Sequence, residues 1–156
     1  MQAEKLYYDD FSIGGQFELG PMTVSAEEII EFAQEFDPQP MHLSEEAGAA
    51  SLLGGLAASG WHTSALLMRM MIDAYVLKCH GEGAPGIEFV EWKKPVMAGD
   101  TLSGHTTVEE MRPLRSRPGI GVVTTRHVVV NQKGELVLTA RNAAMIRMRA
   151  AQGAAQ

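Results

Sequence analysis

An aspartate and a histidine lie five positions apart in the segment Asp-Pro-Gln-Pro-Met-His, which runs from Asp37 to His42. Side chains of these types act as general acid and general base when both reach one reacting group. Each proline lacks an N–H and moves the preceding residue out of the α region, which disfavours a helix across Pro38 and Pro40. We therefore expect a stiff, extended loop that directs both titratable side chains at one point in space.

A second segment, Ala-Ser-Gly-Trp-His at positions 58–62, precedes the longest helical pattern of the chain. The amide of Gly60 would lie at the start of that helix, where the helix dipole is positive. Glycine also lets a ligand approach the backbone closely. This segment is therefore a candidate for holding a negatively charged oxygen.

The elements that position these segments follow from the apolar pattern. Ser25 and Glu28 form a capping box for a helix that should end just before Asp37. Ser44 can begin another short helix. The longest helix is predicted from about Trp61 to Lys78, and its apolar residues cover more than one face, which indicates a helix buried on several sides.

The rest of the chain has the sequence pattern of β-strands. Two short pieces are predicted over 16–19 and 22–24, and longer strands over 87–92, 101–111, 122–130 and 135–148, with a hairpin turn at 131–134. The class is α+β, and an antiparallel sheet wrapped around a long central helix describes a single hotdog fold. We expect residues 1–150 to form this one domain and residues 151–156 to be a flexible C-terminal tail.

Composition excludes several classes of protein. The net charge of −6 in 156 residues argues against a general nucleic-acid binder. The single cysteine, Cys79, permits no internal disulfide, so a reduced cytoplasm is expected. The longest apolar stretch, 65–77, contains Arg69 and Asp73 and falls short of the roughly 20 residues that cross a bilayer. Residues 1–11 do not form a signal peptide, and no membrane partner is expected.

Three segments in order resemble the MaoC-like dehydratases and (R)-specific enoyl-CoA hydratases of the hotdog superfamily. These are the Asp37–His42 segment, Ser59-Gly60, and Lys-Pro-Val-Met-Ala-Gly-Asp-Thr-Leu at 94–102. The resemblance spans residues 25 to 148. It departs at Gln39, where the family more usually has Asn.

The resemblance implies a hydro-lyase that reversibly adds water, syn, to a trans-2-enoyl thioester and forms a 3-hydroxyacyl thioester. Asp37 and His42 would hold one water, and either could be the base. Gly60 would stabilise the enolate oxygen. Further substrate contacts are expected from Ser59, Gln39 and Ser64. No cofactor or metal is implied. The thioester would be one of coenzyme A or acyl carrier protein, and the protein a homodimer or higher homo-oligomer.

Two other functions fit the same residues. A hotdog acyl-CoA thioesterase would use Asp37 and water against the thioester carbonyl. A non-catalytic acyl-thioester-binding subunit would be favoured if Asp37 and His42 were more than ~6 Å apart, beyond the reach of one bridging water.

The remaining polar residues have simpler interpretations. His62 is expected to pack or to lie at an interface, and His105 and His127 to lie on the sheet surface or at an interface. The loop that carries Arg112, Arg115 and Arg117 is either solvated or binds the phosphates of coenzyme A. The adjacent pair Cys79 and His80 matches no zinc spacing.

Overall fold

Five antiparallel strands form one sheet around a long helix in the computed structural model, which describes residues 4–150. The strands are β1 (Gln16–Thr23), β2 (Ile87–Trp92), β3 (Thr101–Pro113), β4 (Ile120–Val130) and β5 (Leu136–Arg147), in the sheet order β1-β3-β4-β5-β2. The helices are α1 (Ala26–Phe36), α2 (Glu45–Ala49) and α3 (Gly60–Ala74). The α+β hotdog architecture is thus confirmed, while the predicted tail 151–156 lies outside the described residues.

Helix α1 begins and ends as its sequence predicts. The Ser25 hydroxyl accepts a hydrogen bond from the Glu28 amide at 3.1 Å, and the Glu28 carboxylate accepts one from the Ser25 amide at 2.8 Å. This capping box satisfies two amides that the first helical turn leaves free. The helix ends at Phe36, so Asp37 is the first residue of the following loop.

Helix α3 packs only part of its apolar surface against the sheet. Leu67, Met70 and Met71 are buried, whereas Trp61 and Met68 are 65% and 45% exposed. The helix also ends at Ala74 and is followed by a separate 3₁₀ turn, rather than continuing to Lys78. The prediction of burial on several sides is therefore wrong for this chain, because one apolar face of the helix is exposed.

The sheet has two edges, β1 and β2. Strand β1 is one strand with an irregular register between Leu19 and Met22, where the sequence predicted two separate pieces. Strand β2 pairs with β5 on one side only, so its other side presents unpaired backbone groups. None of the helices within residues 4–150 is long and apolar enough to span a membrane.

The predicted surface position of His127 is wrong. Alternation along β4 places His127 on the same face as Val123 and Val129, and all three side chains are 1% exposed. The imidazole tolerates burial because it hydrogen-bonds Thr106 and Asn142 on the neighbouring strands. Neither partner is close in sequence, which is why the pattern of one strand did not reveal it.

Candidate functional site

The loop after α1 contains more local structure than the prolines predicted. Gln39 is extended, as expected, but Pro40–His42 forms one turn of 3₁₀ helix with Pro40 as its first residue. A proline costs nothing at that position, because the first amide of a helix has no intrahelical acceptor. The His42 amide closes the turn on the Gln39 carbonyl at 3.0 Å. The expectation of an extended loop is therefore wrong for residues 40–42.

The turn brings the predicted pair together. Asp37 Oδ2 and His42 Nε2 are 3.6 Å apart, and the two side chains are 18% and 8% exposed. This separation is within the reach of one water that hydrogen-bonds both atoms. The arrangement can therefore hold a water in a nearly enclosed position.

Two hydrogen bonds fix the Asp37 carboxylate. The Ser59 hydroxyl donates to Oδ2 at 2.6 Å, and the Gln39 amide donates to Oδ1 at 2.7 Å. These bonds, chiefly that from Ser59, lower the pKa of Asp37, while partial burial opposes them. Asp37 is consequently ionised at neutral pH, and the amide of Gln39 is directed at this carboxylate.

A backbone carbonyl orients the histidine. His42 Nδ1 lies 2.7 Å from the carbonyl oxygen of Ala57. A carbonyl oxygen can only accept, so Nδ1 carries the proton and Nε2, which faces Asp37, is the nitrogen that gains or loses one. Sequence reasoning missed Ala57, since a backbone contact leaves no signal in residue type.

The N-terminus of α3 is open at this point. Ser59 occupies the N-cap position, but its hydroxyl bonds Asp37 and caps no amide of the helix. Among residues 4–150, no acceptor contacts the amide of Gly60. The first amide of α3 thus remains available at the positive end of the helix.

Trp92, at the end of β2, packs directly on this glycine. A Cβ atom at Gly60 would lie 2.6 Å from Cδ2 of the indole ring, closer than side chains normally approach. The Trp92 Nε1 donates to the Ser64 hydroxyl at 3.1 Å, and that hydroxyl donates to the Gly60 carbonyl at 3.2 Å. Ser64, predicted as a substrate contact, therefore holds Trp92 against the helix start.

A pocket of about 280 Å³ lies beside His42 and the start of α3, and Asp37 and Ser59 are not among its lining residues. His42, Gly60 and Trp92 line it together with Lys93 and Lys94. Sequence reasoning missed Trp92 and both lysines. The doublet of basic residues just before the turn at 95–100 was a visible signal, but nothing local indicated that β2 would end beside Gly60.

Other predicted polar residues lie elsewhere. His62 is buried, as expected of a packing residue, and stacks on Phe32 with 4.6 Å between ring centroids. Burial lowers its pKa, although Glu28 opposes the shift. Burial raises the pKa of Cys79 to about 11, and His80 stacks on Tyr7.

The basic loop is remote from this pocket within one subunit. Arg112, Arg115 and Arg117 are exposed at one end of β3, and the turn at 97–100 precedes its other end. At about 3.3 Å per residue, a strand of this length separates the two ends by about 40 Å. Lys93 and Lys94 are therefore the basic side chains beside the pocket of the same chain.

Comparison with known proteins places this fold and its loop in a family. Residues 10–131 match the model of the MaoC like domain. The chain belongs to the MaoC-like domain family. A MaoC-like dehydratase from Rhodospirillum rubrum has the same fold as this MaoC-like protein, with a TM-score of 0.82 and 39% sequence identity over 92% of this chain and 98% of the other.

Two sequence relatives cover most of the MaoC-like chain. An uncharacterised protein of Bacillus subtilis is 31% identical over 125 residues, which is 80% of this chain and 87% of the relative. A 3-hydroxybutyryl-CoA dehydratase of Methylorubrum extorquens is 29% identical over 114 residues, covering 72% and 69%. Proteins named as dehydratases are thus among those that the chain resembles.

Proposed function

We propose that this MaoC-like protein is a hydro-lyase that catalyses reversible syn hydration of a trans-2-enoyl thioester to a 3-hydroxyacyl thioester. The observation that carries the proposal is the 3.6 Å separation of Asp37 Oδ2 and His42 Nε2 next to the uncapped start of α3. A proton-transfer pair and a site for negative charge are both needed to hydrate a conjugated thioester. Similarity to a 3-hydroxybutyryl-CoA dehydratase supports the same chemistry.

The geometry of the pair suits a single water. A water about 2.8 Å from both atoms subtends about 80° across the 3.6 Å gap, so each of its hydrogens can point at one acceptor. Asp37 is ionised, and an imidazole whose proton lies on Nδ1 has a lone pair on Nε2, so both atoms can accept hydrogen bonds from the water. The lone pairs of the water are then free to attack the β-carbon of the substrate.

His42 can take the proton from the water and deliver it to the substrate. As the water oxygen bonds the β-carbon, one O–H bond breaks and its proton moves to His42 Nε2, while the π electrons move to the thioester oxygen. The same proton then passes from Nε2 to the α-carbon on the same face, and the neutral imidazole is restored. Asp37 remains ionised throughout because hydrogen bonds lower its pKa, and it orients the water and stabilises the imidazolium.

The open amide of Gly60 would receive the enolate oxygen. It lies at the positive helix end and lines the same pocket as His42. Removing one such donor typically reduces kcat by about 10²- to 10³-fold. In the dehydration direction the same amide stabilises the enolate that forms when His42 removes the α-proton.

Coenzyme A is the carrier that we propose. Lys93 and Lys94 stand at the pocket, paired with the partly exposed carboxylates of Glu91 and Glu135, which the phosphates of a bound carrier can replace. Acyl carrier protein also presents a phosphate next to its thioester, so a comparison of the two carriers decides between them. A cytoplasmic location, expected from the sequence, accords with either carrier.

We further propose a homodimer joined through β2. Four apolar side chains near that edge are exposed by 45% to 65%, and we call them the edge patch: Trp61, Met68, Ile87 and Trp92. A second copy can extend the sheet from the free side of β2 and cover the patch. Two of these residues flank Gly60, so the partner would also close the pocket.

Two substitutions test the chemistry. Asp37→Asn and His42→Ala should each fold normally by circular dichroism and lower kcat for crotonyl-CoA hydration by at least ~100-fold, the usual contribution of one acid-base group. Glu35→Gln, an exposed carboxylate on α1, and His105→Ala are matched controls that should retain full activity. Turnover unchanged in both Asp37→Asn and His42→Ala would refute the proposal. Release of free coenzyme A from butyryl-CoA would indicate a thioesterase instead, and binding of acyl-CoA with neither reaction would indicate a binding subunit.

A further inference from the structure

Three arginines lack a carboxylate partner among residues 4–150, and all three lie at the loop between β3 and β4. We call Arg112, Arg115 and Arg117 the loop arginines; none has a carboxylate oxygen of the described residues within 4 Å. The other five arginines of the sequence each form an ion pair with an aspartate or a glutamate. Like charges so close together repel one another, and a ligand with several negative charges would remove that repulsion. The loop therefore suits a polyanion.

Backbone hydrogen bonds hold the loop arginines on a tight turn. The Leu114 amide donates to the Ile120 carbonyl at 2.9 Å, and the Arg117 amide donates to the Leu114 carbonyl at 3.1 Å. Gly119 has a φ of +84°, a conformation that favours glycine, where the chain turns into β4. All three arginines are exposed. Their charges are thus concentrated at a defined end of the sheet and are open to solvent.

The loop and the candidate active site lie at opposite ends of the sheet within one chain. Strand β2 ends at Trp92, which lines the Gly60 pocket and faces Leu138 of β5. Strand β5 ends at Arg147, which faces Ile120, the first residue of β4 after the loop. The loop arginines therefore point to a ligand that is not held by the pocket of their own chain.

The proposed homodimer brings the loop of one subunit to the end of the sheet where the other subunit has its pocket. The edge patch includes Trp61 and Met68 of α3, so a partner that covers the patch must have its own α3 on the same face of the joined sheet. A two-fold axis that keeps both helices on one face is perpendicular to the sheet, and it makes the two β2 strands antiparallel. Antiparallel pairing reverses the ends of the second sheet. The partner's loop arginines consequently lie at the same end as the Gly60 pocket.

The distance from the pocket to the partner's loop follows from the strand spacings. When β2 pairs about its midpoint, Trp92 lies opposite the partner's Ile87, which is level with the partner's Asn142. The partner's β5 ends five residues further on, about 16 Å at about 3.3 Å per residue. The strands that flank the loop are three and four strand spacings from β2, about 14 to 19 Å at about 4.8 Å each. The two components combine to about 22 to 25 Å.

A coenzyme A thioester has the length to bridge this distance. About thirteen bonds separate its sulfur from the first phosphorus atom, which is about 16 Å at about 1.2 Å per bond of an extended chain. An arginine guanidinium lies about six bonds, or about 7 Å, from its Cα atom. The sum of about 23 Å matches the separation of the pocket and the partner's loop.

We propose that the loop arginines of one subunit bind the phosphates of the coenzyme A thioester that reacts in the pocket of the partner subunit. The proposal rests on the proposed function, which places the thioester at Gly60, and on the homodimer joined through β2. Coenzyme A carries a diphosphate and a ribose 3′-phosphate, so three guanidinium groups have several phosphate oxygens to bind. Each subunit would supply the reacting groups of one site and phosphate contacts of the other.

A substrate without phosphates tests the role of the loop arginines. The triple variant Arg112→Gln, Arg115→Gln and Arg117→Gln should raise KM for crotonyl-CoA about fivefold to tenfold with kcat unchanged, the effect of three exposed charge pairs. Its kcat/KM for crotonyl-pantetheine, which lacks every phosphate, should equal that of wild type. Arg69→Gln removes an exposed arginine from α3 and should change neither value. An unchanged KM for crotonyl-CoA in the triple variant, or equal losses with both substrates, would overturn the proposal.

A mixed dimer tests the exchange between subunits. One subunit carries Asp37→Asn and an intact loop, the other carries the triple change and an intact site, and different affinity tags allow the mixed dimer to be isolated. The one intact site then faces the one intact loop across the interface. The mixed dimer should therefore have the wild-type KM for crotonyl-CoA and about half the wild-type kcat per dimer. A KM as high as that of the triple variant would show that the loop serves its own chain and would overturn the proposal.

Binding of butyryl-CoA separates this proposal from the proposed function. Isothermal titration should give a Kd about fivefold to tenfold higher for the triple variant than for wild type. Weaker binding by the triple variant, in a protein whose wild type does not hydrate crotonyl-CoA, supports the phosphate site and overturns only the proposed chemistry. Equal binding by the two proteins, with normal hydration by wild type, overturns only the phosphate site. A wild type that sediments as a monomer overturns the exchange between subunits.

Discussion

Gly60→Ala probes the contact between the start of α3 and Trp92. The added methyl group would lie 2.6 to 2.7 Å from three atoms of the indole, so the ring has to move. Trp92 is 46% exposed within its own chain, so the ring can turn away from the helix, and in the proposed dimer this movement would also disturb the interface. That movement breaks its hydrogen bond to Ser64. We therefore expect a folded variant whose Trp92 is displaced from the pocket.

The expected loss of stability follows from these contacts. A broken neutral hydrogen bond costs about 1 kcal/mol, and overpacking costs about 1 to 3 kcal/mol when the neighbour is not free to move. Alanine offsets part of this, because it is better than glycine in a helix by about 0.5 to 1 kcal/mol. The free energy of unfolding of Gly60→Ala should fall by about 1 to 3 kcal/mol as a net result.

A double-mutant cycle with Trp92→Leu separates packing from catalysis. Urea denaturation should show Gly60→Ala to be nearly harmless when Trp92 is absent, with a coupling energy of about 1 kcal/mol or more. Crotonyl-CoA hydration should remain impaired in the double variant, because the methyl group still crowds the amide that binds the enolate. Additive effects on stability would refute the packing argument, and full activity in the double variant would refute the argument that a methyl group at position 60 crowds the enolate site.

Three further outcomes are expected. Ser59→Ala should destabilise the protein by about 1 to 2 kcal/mol at pH 7, because it removes a charge-assisted hydrogen bond from Asp37. The pKa of Asp37 is lowered in the folded state, so the contribution of this hydrogen bond to stability is present above pH 3.8, the ordinary pKa of the group, and is lost as the pH falls below it. Urea denaturation should therefore show the free energies of unfolding of wild type and Ser59→Ala converging below pH 3.8. Lys93→Met with Lys94→Met should raise KM for crotonyl-CoA several-fold at low salt with little change in kcat, and the difference should shrink at high salt. Ile87→Glu should convert a dimer to a monomer by sedimentation, and a wild-type monomer would contradict assembly through β2.

Local patterns predicted the elements well where neighbouring residues determine them. The capping box at Ser25 and Glu28 needs only backbone and side chains within one turn, and α1 begins there. Alternation of β-branched residues likewise predicted β4. The errors arose where distant contacts decide the outcome. His127 is buried because residues 21 positions before it and 15 after it supply its hydrogen bonds.

In the candidate site, too, the sequence predicted what neighbouring residues determine and missed what distant contacts determine. The spacing of Asp37 and His42 in a proline-rich loop predicted that the two side chains would meet, and their 3.6 Å separation accords with it. The side-chain amide of Gln39 donates to Asp37, a contact that was not predicted, and its contact with substrate stays a prediction. Trp92 was not predicted at all. Its contact with Gly60 joins strand β2 to helix α3, and residues 32 positions apart give no periodic signal.

Ser59 links the two halves of the site and explains an unfavourable feature of α3. A serine at the N-cap position normally accepts a hydrogen bond from the second or third amide of its helix, and losing that cap costs about 1 kcal/mol. Here the hydroxyl donates to Asp37 and accepts from no amide of the helix. The loop thereby gains an ionised, fixed carboxylate, and the helix keeps its positive end open at Gly60. The charge-assisted bond to Asp37 stabilises the protein by at least as much as the missing cap costs, so the start of α3 stays open at Gly60 with little net cost in stability.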